Sequence, residues 1–128
     1  MAQPPLVDVL IVEDEQHVAE LLAEILTEAS YRVAVAADGV RGLEAIARSR
    51  PRLVLCDVML PRLSGVELLR QVRADPAGNP PAMIMMSAAA PPALPPNVPF
   101  LAKPFNLDEL LDLVEAALQG PPGGSEPA

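Results

Sequence analysis

Val9-Leu-Ile-Val-Glu-Asp-Glu-Gln-His-Val-Ala-Glu-Leu-Leu-Ala-Glu-Ile-Leu26 passes from a short apolar run, through the acids Glu13-Asp14, into a segment of helical period. Val18, Leu21, Leu22, Ile25 and Leu26 follow the i, i+3, i+4, i+7, i+8 spacing of one helix face. A strand over roughly Val7 to Val12 and a helix over Gln16 to Ala29 are the first half of a parallel βαβ unit. The rest of the chain keeps the alternation. Tyr31 to Ala36 reads as strand two, and Asp38 as the N-cap of a helix that turns Val40, Leu43 and Ile46 inward and stops near Pro51. Strand three, Leu53 to Cys56, delivers Asp57 into a loop containing Pro61. Ser64-Gly-Val-Glu67 then has the spacing of a reciprocal capping box, opening a helix to about Ala74. Asp75-Pro-Ala-Gly-Asn-Pro-Pro81 is turn chemistry throughout, Ala82 to Met86 is an apolar strand ending at Ser87, and Val98 to Ala102 is strand five. Asn106 and Glu109 cap a last helix that buries Leu107, Leu110, Leu111, Val114 and Leu118. The fold class is α/β: a doubly wound, five-stranded parallel sheet.

One crossover breaks the rhythm. Ala88-Ala-Ala-Pro-Pro-Ala-Leu-Pro-Pro-Asn97 stands where a fourth helix belongs, and each interior proline costs a helix about 3 kcal/mol. Four prolines in ten residues leave that helix missing or replaced by an extended link. Ten residues of polyproline II reach roughly 31 Å, more than the ~17–20 Å length of an ordinary strand, so the parallel topology survives.

Composition sets outer limits. At 128 residues and 51% hydrophobic the chain suits one compact domain with a real core, expected over residues 6–119, with 1–5 as an extension and 120–128 as a flexible tail. The net charge of −8 repels nucleic acid and anionic membranes, and an aromatic content of 2% offers few stacking surfaces, so protein partners are expected. No apolar run is long enough to span a bilayer and residues 1–5 lack the pattern of a leader, so the chain is expected in the cytoplasm. Cys56, alone and within an apolar run, reads as an inert buried thiol. His17, without a histidine or cysteine partner, reads as a surface residue. Glycines 39, 42 and 65 form no nucleotide-binding loop.

The chemistry gathers at strand ends. In the doubly wound order 2-1-3-4-5, strands one and three are adjacent and Asp14 meets Asp57 at the topological switch point. Two carboxylates about 4 Å apart repel by roughly 4 kcal/mol at an effective dielectric of 20, and Glu13 adds to this. Lys103, the only lysine beside eight arginines, supplies a compact point charge but cannot neutralise three acids. A divalent cation should complete the site, and Mg2+ suits carboxylates, a backbone carbonyl and retained waters. A carboxylate so placed can attack phosphorus and carry the group as an aspartyl phosphate. Asp57 is best positioned for this, with Lys103 and the Ser87 hydroxyl serving the phosphoryl oxygens.

Glu13-Asp14, Asp57-Val-Met-Leu-Pro61 with Gly65, Ser87-Ala88 and Lys103-Pro104 together resemble the receiver domain of two-component response regulators, over about residues 6 to 118. That resemblance implies a flavodoxin-like fold and phosphorylation of Asp57 by a histidine kinase or histidine phosphotransfer protein. It implies a metal site of Asp14, Asp57 and the Met59 carbonyl, with Glu13 acting through water. It also implies Ser87 and Phe100 as switch residues and a cis peptide before Pro104. Family members usually carry the fourth helix as part of their output and dimer surface. A phosphorylation-dependent dimer of this chain would therefore use an atypical surface. The chain is expected to act without an attached effector, through protein contact or phosphorelay.

Two other classes compete. A phosphatase working through an aspartyl phosphate would commonly have an acid at position 59, where this chain has methionine. A phosphate-independent, receiver-like interaction module is motivated by the altered crossover and opposed by the intact site residues.

Overall fold

The computed structural model describes residues 6–75, 79–89 and 94–119. Five strands, β1 (Val9–Val12), β2 (Val33–Ala36), β3 (Leu53–Asp57), β4 (Ala82–Ser87) and β5 (Phe100–Ala102), form one parallel sheet in the order β2-β1-β3-β4-β5. Four helices, α1 (Gln16–Glu28), α2 (Gly39–Ser49), α3 (Gly65–Ala74) and α4 (Leu107–Leu118), complete the described elements. The expected α/β architecture and strand order are those observed.

Each face of the sheet has its own core. Val9, Ile11, Leu53, Leu55, Ile84 and Met86 pack with Leu22 and Leu26 of α1 and Leu110 and Val114 of α4. The alternate side chains Leu10, Val12, Val54, Cys56, Met83 and Met85 pack with Leu68, Leu69 and Val72 of α3, with Leu43 and Ile46 of α2 half-buried against them. The period-two split explains why β1, β3 and β4 read as unbroken apolar runs: helices cover both sides. Side chains just ahead of the helices, such as Asp38 before α2 and Asn106 before α4, cap them, accepting from Arg41 N at 2.8 Å and Glu109 N at 2.7 Å.

Three expectations need correction. Leu21 is 50% exposed and Leu107 is 51% exposed, although the helical period puts the first on the apolar face of its helix and the second among the buried residues of the last. The buried seam of α1 is Ala19, Leu22 and Leu26, and Leu21 lies about 100° round the helix from Leu22. In α4 the seam is Leu110 and Val114, while Leu107 is the first helical residue and has only just left the loop. The capping box at α3 is half formed: Ser64 Oγ accepts from Glu67 N at 3.2 Å, but the Glu67 carboxylate turns outward to Arg70 and Gln71.

Strands β1, β2 and β5 are shorter than expected. Pairing nevertheless continues past their ends, since Asp8 N donates to the Arg32 carbonyl and Met85 N to the Pro99 carbonyl. Between β4 and β5 the described residues 88, 89 and 94–99 contain bends and a turn but no helix. Leu94 and Val98 from this link pack against the core that holds Met83 and Met85, taking over apolar cover a helix would supply. Residues 90–93 of the expected extended link, 76–78 of the expected turn, and the expected extension and tail lie outside the described residues.

Candidate functional site

The register decides which side chains meet. Val12 pairs with Cys56, Asp57 with Met86, and Ser87 with Ala102, so the residues following each of these strands emerge along one edge of the sheet. Glu13 is held there by its own N–H, which donates to the Ala36 carbonyl at 3.0 Å. Gly65 fixes the return of the β3–α3 loop: its N–H donates to Val58 O at 3.0 Å, and a Cβ at this residue would stand 2.1 Å from the Asp57 carbonyl oxygen. Only glycine permits that approach.

Lys103 reaches across the edge. Its Nζ donates to Asp57 Oδ2 at 2.6 Å and to Glu13 Oε1 at 2.5 Å. Asp57 Oδ1 accepts from Met59 N at 2.9 Å, and Glu13 Oε2 accepts from Glu15 N at 3.1 Å. Glu13 and Asp57 are buried, whereas Asp14 is exposed, and the three acids offer oxygens within 4.8 Å of one another. Lys103 is itself placed by its backbone, whose N–H donates to the Ser87 carbonyl at 2.9 Å; the Lys103–Pro104 peptide is cis, as expected. Ser87 is 1% exposed and its Oγ accepts from Ala89 N at 3.1 Å. Phe100 lies half-buried in the core on the α2 and α3 side, and the Met59 side chain points outward at 67% exposure.

The electrostatics follow from this geometry. Burial pushes the Glu13 carboxyl above its ordinary range; the Lys103 and Glu15 hydrogen bonds oppose this, and the Asp57 charge adds to it. Burial pulls the Lys103 ammonium down, but its hydrogen bonds to Asp57 and Glu13 outweigh that, so it sits above its ordinary value and stays charged. Three carboxylates against one ammonium leave two negative charges in excess when all are ionised. All-oxygen donors of this kind suit a hard divalent cation of the magnesium class.

The sequence brought forward Glu13, Asp14, Asp57, Ser87 and Lys103, and the fold assembles them along one edge. Cys56 is fully buried, its thiol pushed well up by burial and then by the Asp57 and Glu13 charges, which leaves it protonated and inert. His17 is exposed at the start of α1. Sequence reasoning missed the backbone donors Glu15 N and Ala89 N, and it missed Asp38 as anything beyond a cap. Asp38 also faces Arg62 Nη1 at 3.6 Å across two loops, a pairing with no local sequence signal.

The family described as the response regulator receiver domain matches residues 9–115. The uncharacterized transcriptional regulatory protein YkoG of Bacillus subtilis is 38% identical over 119 residues, covering 87% of this chain and 50% of that protein. The response regulator MprA of a Mycobacterium species is 36% identical over 121 residues, covering 88% of this chain and 51% of its own length. This chain thus spans about half the length of the curated relatives it matches. Among solved structures, the receiver domain of the sensor histidine kinase PA1611 from Pseudomonas aeruginosa, with a magnesium ion coordinated in its active site cleft, superposes with a TM-score of 0.77 at 28% identity, covering 89% and 98% of the two chains. With its family matched over most of its length and its strand order and acidic edge in place, the chain belongs to the response regulator receiver domain family.

Proposed function

We propose that the chain is a phosphoryl-accepting switch of a two-component system, in which Asp57 takes the group from the phosphohistidine of a histidine kinase or histidine phosphotransfer protein. The observation that carries this reading is the Lys103 ammonium, seated between Asp57 Oδ2 and Glu13 Oε1. A carboxylate oxygen of Asp57 attacks phosphorus, the P–N bond breaks with its electron pair returning to the imidazole, and an acyl phosphate is left on Asp57. No base is required, because a carboxylate nucleophile carries no proton to be removed. Lys103 would pair with one phosphoryl oxygen. Since Ser87 Oγ accepts from Ala89 N, its own proton is available to a second.

Asp14, Asp57 and the Met59 carbonyl would hold Mg2+ directly, with Glu13 acting through water. When bound, the ion supplies positive charge for the phosphoryl oxygens. Phosphorylation would draw Ser87 toward the new anion and let the Phe100 ring move inward, altering the surface that a target protein reads. The functional unit on this reading is residues 6–119, working in the cytoplasm through protein contact or as a relay, with any dimer formed through a surface other than a fourth helix. It would accept phosphate from small donors and hydrolyse its own acyl phosphate. No nucleic-acid contact is assigned to this acidic unit; the relatives' transcriptional names belong to chains about twice as long.

Intact mass measurement after incubation with a small acyl phosphate, with and without Mg2+, tests the reading. One added phosphoryl group that needs the metal and disappears in Asp57→Asn is the expected result. Labelling retained in Asp57→Asn would move the acceptor elsewhere. The absence of helix in the described residues between β4 and β5 favours a second reading, a phosphate-independent interaction module, which predicts no labelling of the unmutated chain.

A further inference from the structure

The loop that carries the Met59 carbonyl is strained, and it is held from outside. Arg62 has φ 69° and Leu63 N donates to the Pro61 carbonyl at 2.8 Å, a three-residue turn about a left-handed arginine. A non-glycine residue persists in that region only where its surroundings over-determine it. Two contacts from the β2–α2 turn do so. Gly39 lies so close that a Cβ there would stand 2.0 Å from Leu63 O, and Gly39 N approaches the Pro61 carbonyl at 3.4 Å. Beside it, buried Asp38 accepts from Arg41 N at 2.8 Å through Oδ1 and pairs through Oδ2 with Arg41 Nε at 3.7 Å and Arg62 Nη1 at 3.6 Å. The pair is half-exposed, with the Arg62 side chain 56% and the Asp38 side chain 9% in solvent, so its weight lies in the buried acid, which the Arg41 N–H holds in one orientation, and the charge attraction itself is modest.

We infer that Asp38 and Arg62 are positioning residues: their pairing locks the strained turn at Arg62 and thereby sets where the Met59 carbonyl stands for the metal. This rests on the proposed role of that carbonyl. Asp38 holds the far end of the loop while Gly65 holds the near end against the Asp57 carbonyl. The β2–α2 turn, which contributes none of the proposed ligands or phosphoryl-binding groups, then acts on metal affinity through the loop.

Calorimetric titration of MgCl2 into the full unphosphorylated chain, paired with amide hydrogen exchange at Leu63 and Gly65, tests this. Arg62→Gln and Asp38→Asn, the latter keeping a capping oxygen, should each weaken magnesium binding roughly three- to tenfold, less than the ten- to hundredfold typical of groups bonded to a ligand. Both should speed exchange at Leu63 and Gly65, and the double variant should be no worse than either single one. Arg62→Lys should restore most of the affinity. The phosphorylation rate at saturating Mg2+ should be retained while the half-saturating concentration rises. Unchanged affinity in both variants, in a chain that binds magnesium and is labelled at Asp57, would overturn this inference alone. An equal loss in Arg41→Gln would also overturn it, by tracing the effect to the α2 cap. Failure of the unmutated chain to bind magnesium would overturn both this inference and the phosphoacceptor reading.

Discussion

Asp8 and Glu13 bracket β1, both buried, and their surroundings move their charges in opposite directions. The Asp8 carboxyl is held below its ordinary 3.8 chiefly by the Arg32 side chain, against the opposing cost of burial. The Glu13 carboxyl is pushed above its ordinary 4.5, chiefly by burial. The amino-terminal edge of the sheet stabilises its charge, and the carboxyl-terminal edge leaves excess charge for a ligand to complete.

Asp8 ties four elements together. Arg32 donates to it from Nε at 3.2 Å, Nη2 at 3.1 Å and its backbone N at 2.8 Å, and Arg52, 3.5 Å away through Nη1, also donates to the last carbonyl of α4, Leu118 O, at 2.9 Å. A carboxyl whose folded pKa is depressed contributes stability that is present above its unfolded value and lost as pH falls through the folded one. Asp8→Asn should therefore lower the urea midpoint at neutral pH, and the deficit should shrink as pH falls below 3.8. A deficit that stayed constant with pH would assign the effect to packing.

Glu13 has the opposite sign. A carboxyl whose folded pKa is raised makes stability fall as pH rises from its unfolded value through its folded one, because the folded state holds the proton longer. Glu13→Gln, which can still accept from Lys103, should raise the denaturation midpoint at neutral pH in metal-free buffer, with the gain fading below 4.5. The same variant should bind Mg2+ more weakly, separating stability from site chemistry.

Two glycines distinguish close approach from ordinary packing. An alanine Cβ at Gly65 would meet Asp57 O at 2.1 Å and Val58 Cα at 2.9 Å, all backbone, so Gly65→Ala should cost about 1–3 kcal/mol and reduce labelling at the proposed acceptor, Asp57. At Gly42 the nearest atoms are Leu68 Cδ1 and Val12 Cγ1, both at 3.0 Å and both side chain. There the helix-propensity gain of up to about 1 kcal/mol offsets the crowding, so Gly42→Ala should unfold within about 1 kcal/mol of the parent. Urea denaturation with labelling of both variants checks this.

Most of the architecture was legible because strand and helix periods alternate cleanly. Val9 to Val12, Leu53 to Cys56 and Ala82 to Met86 read as strands because they are short apolar runs bounded by turn signals, and the carboxylates and lysine that follow strands meet when the strand order is 2-1-3-4-5. Local pattern failed where the deciding partner is distant in sequence. Asp8 pairs with arginines 24 and 44 residues away, and Asp38 reaches Arg62 across two loops. Leu21 and Leu107 fit the helical period yet are exposed, because a period defines a stripe without defining its centre. The prolines argued against a helix after β4, and the described residues of that link contain none, but nothing in the sequence showed which link residues would cover the sheet.

Leu94 and Val98 provide that cover, and their energetic weight can be measured. Both are half-buried against the core that contains Met83, Met85 and Phe100. A fully buried leucine truncated to alanine costs about 2–5 kcal/mol, so Leu94→Ala at half burial should cost about 1–2 kcal/mol, and Val98→Ala, which removes fewer carbons, about 1 kcal/mol. Because both pack on the same cluster, the double variant should depart from additivity. Phe100 shares that cluster, so loosening the link should also free its ring. Faster backbone exchange at Phe100 in Leu94→Ala, with the urea midpoint lowered and the slope unchanged, is the expected outcome. A midpoint equal to that of the parent would show that the link merely passes over β4 and β5 without packing on them.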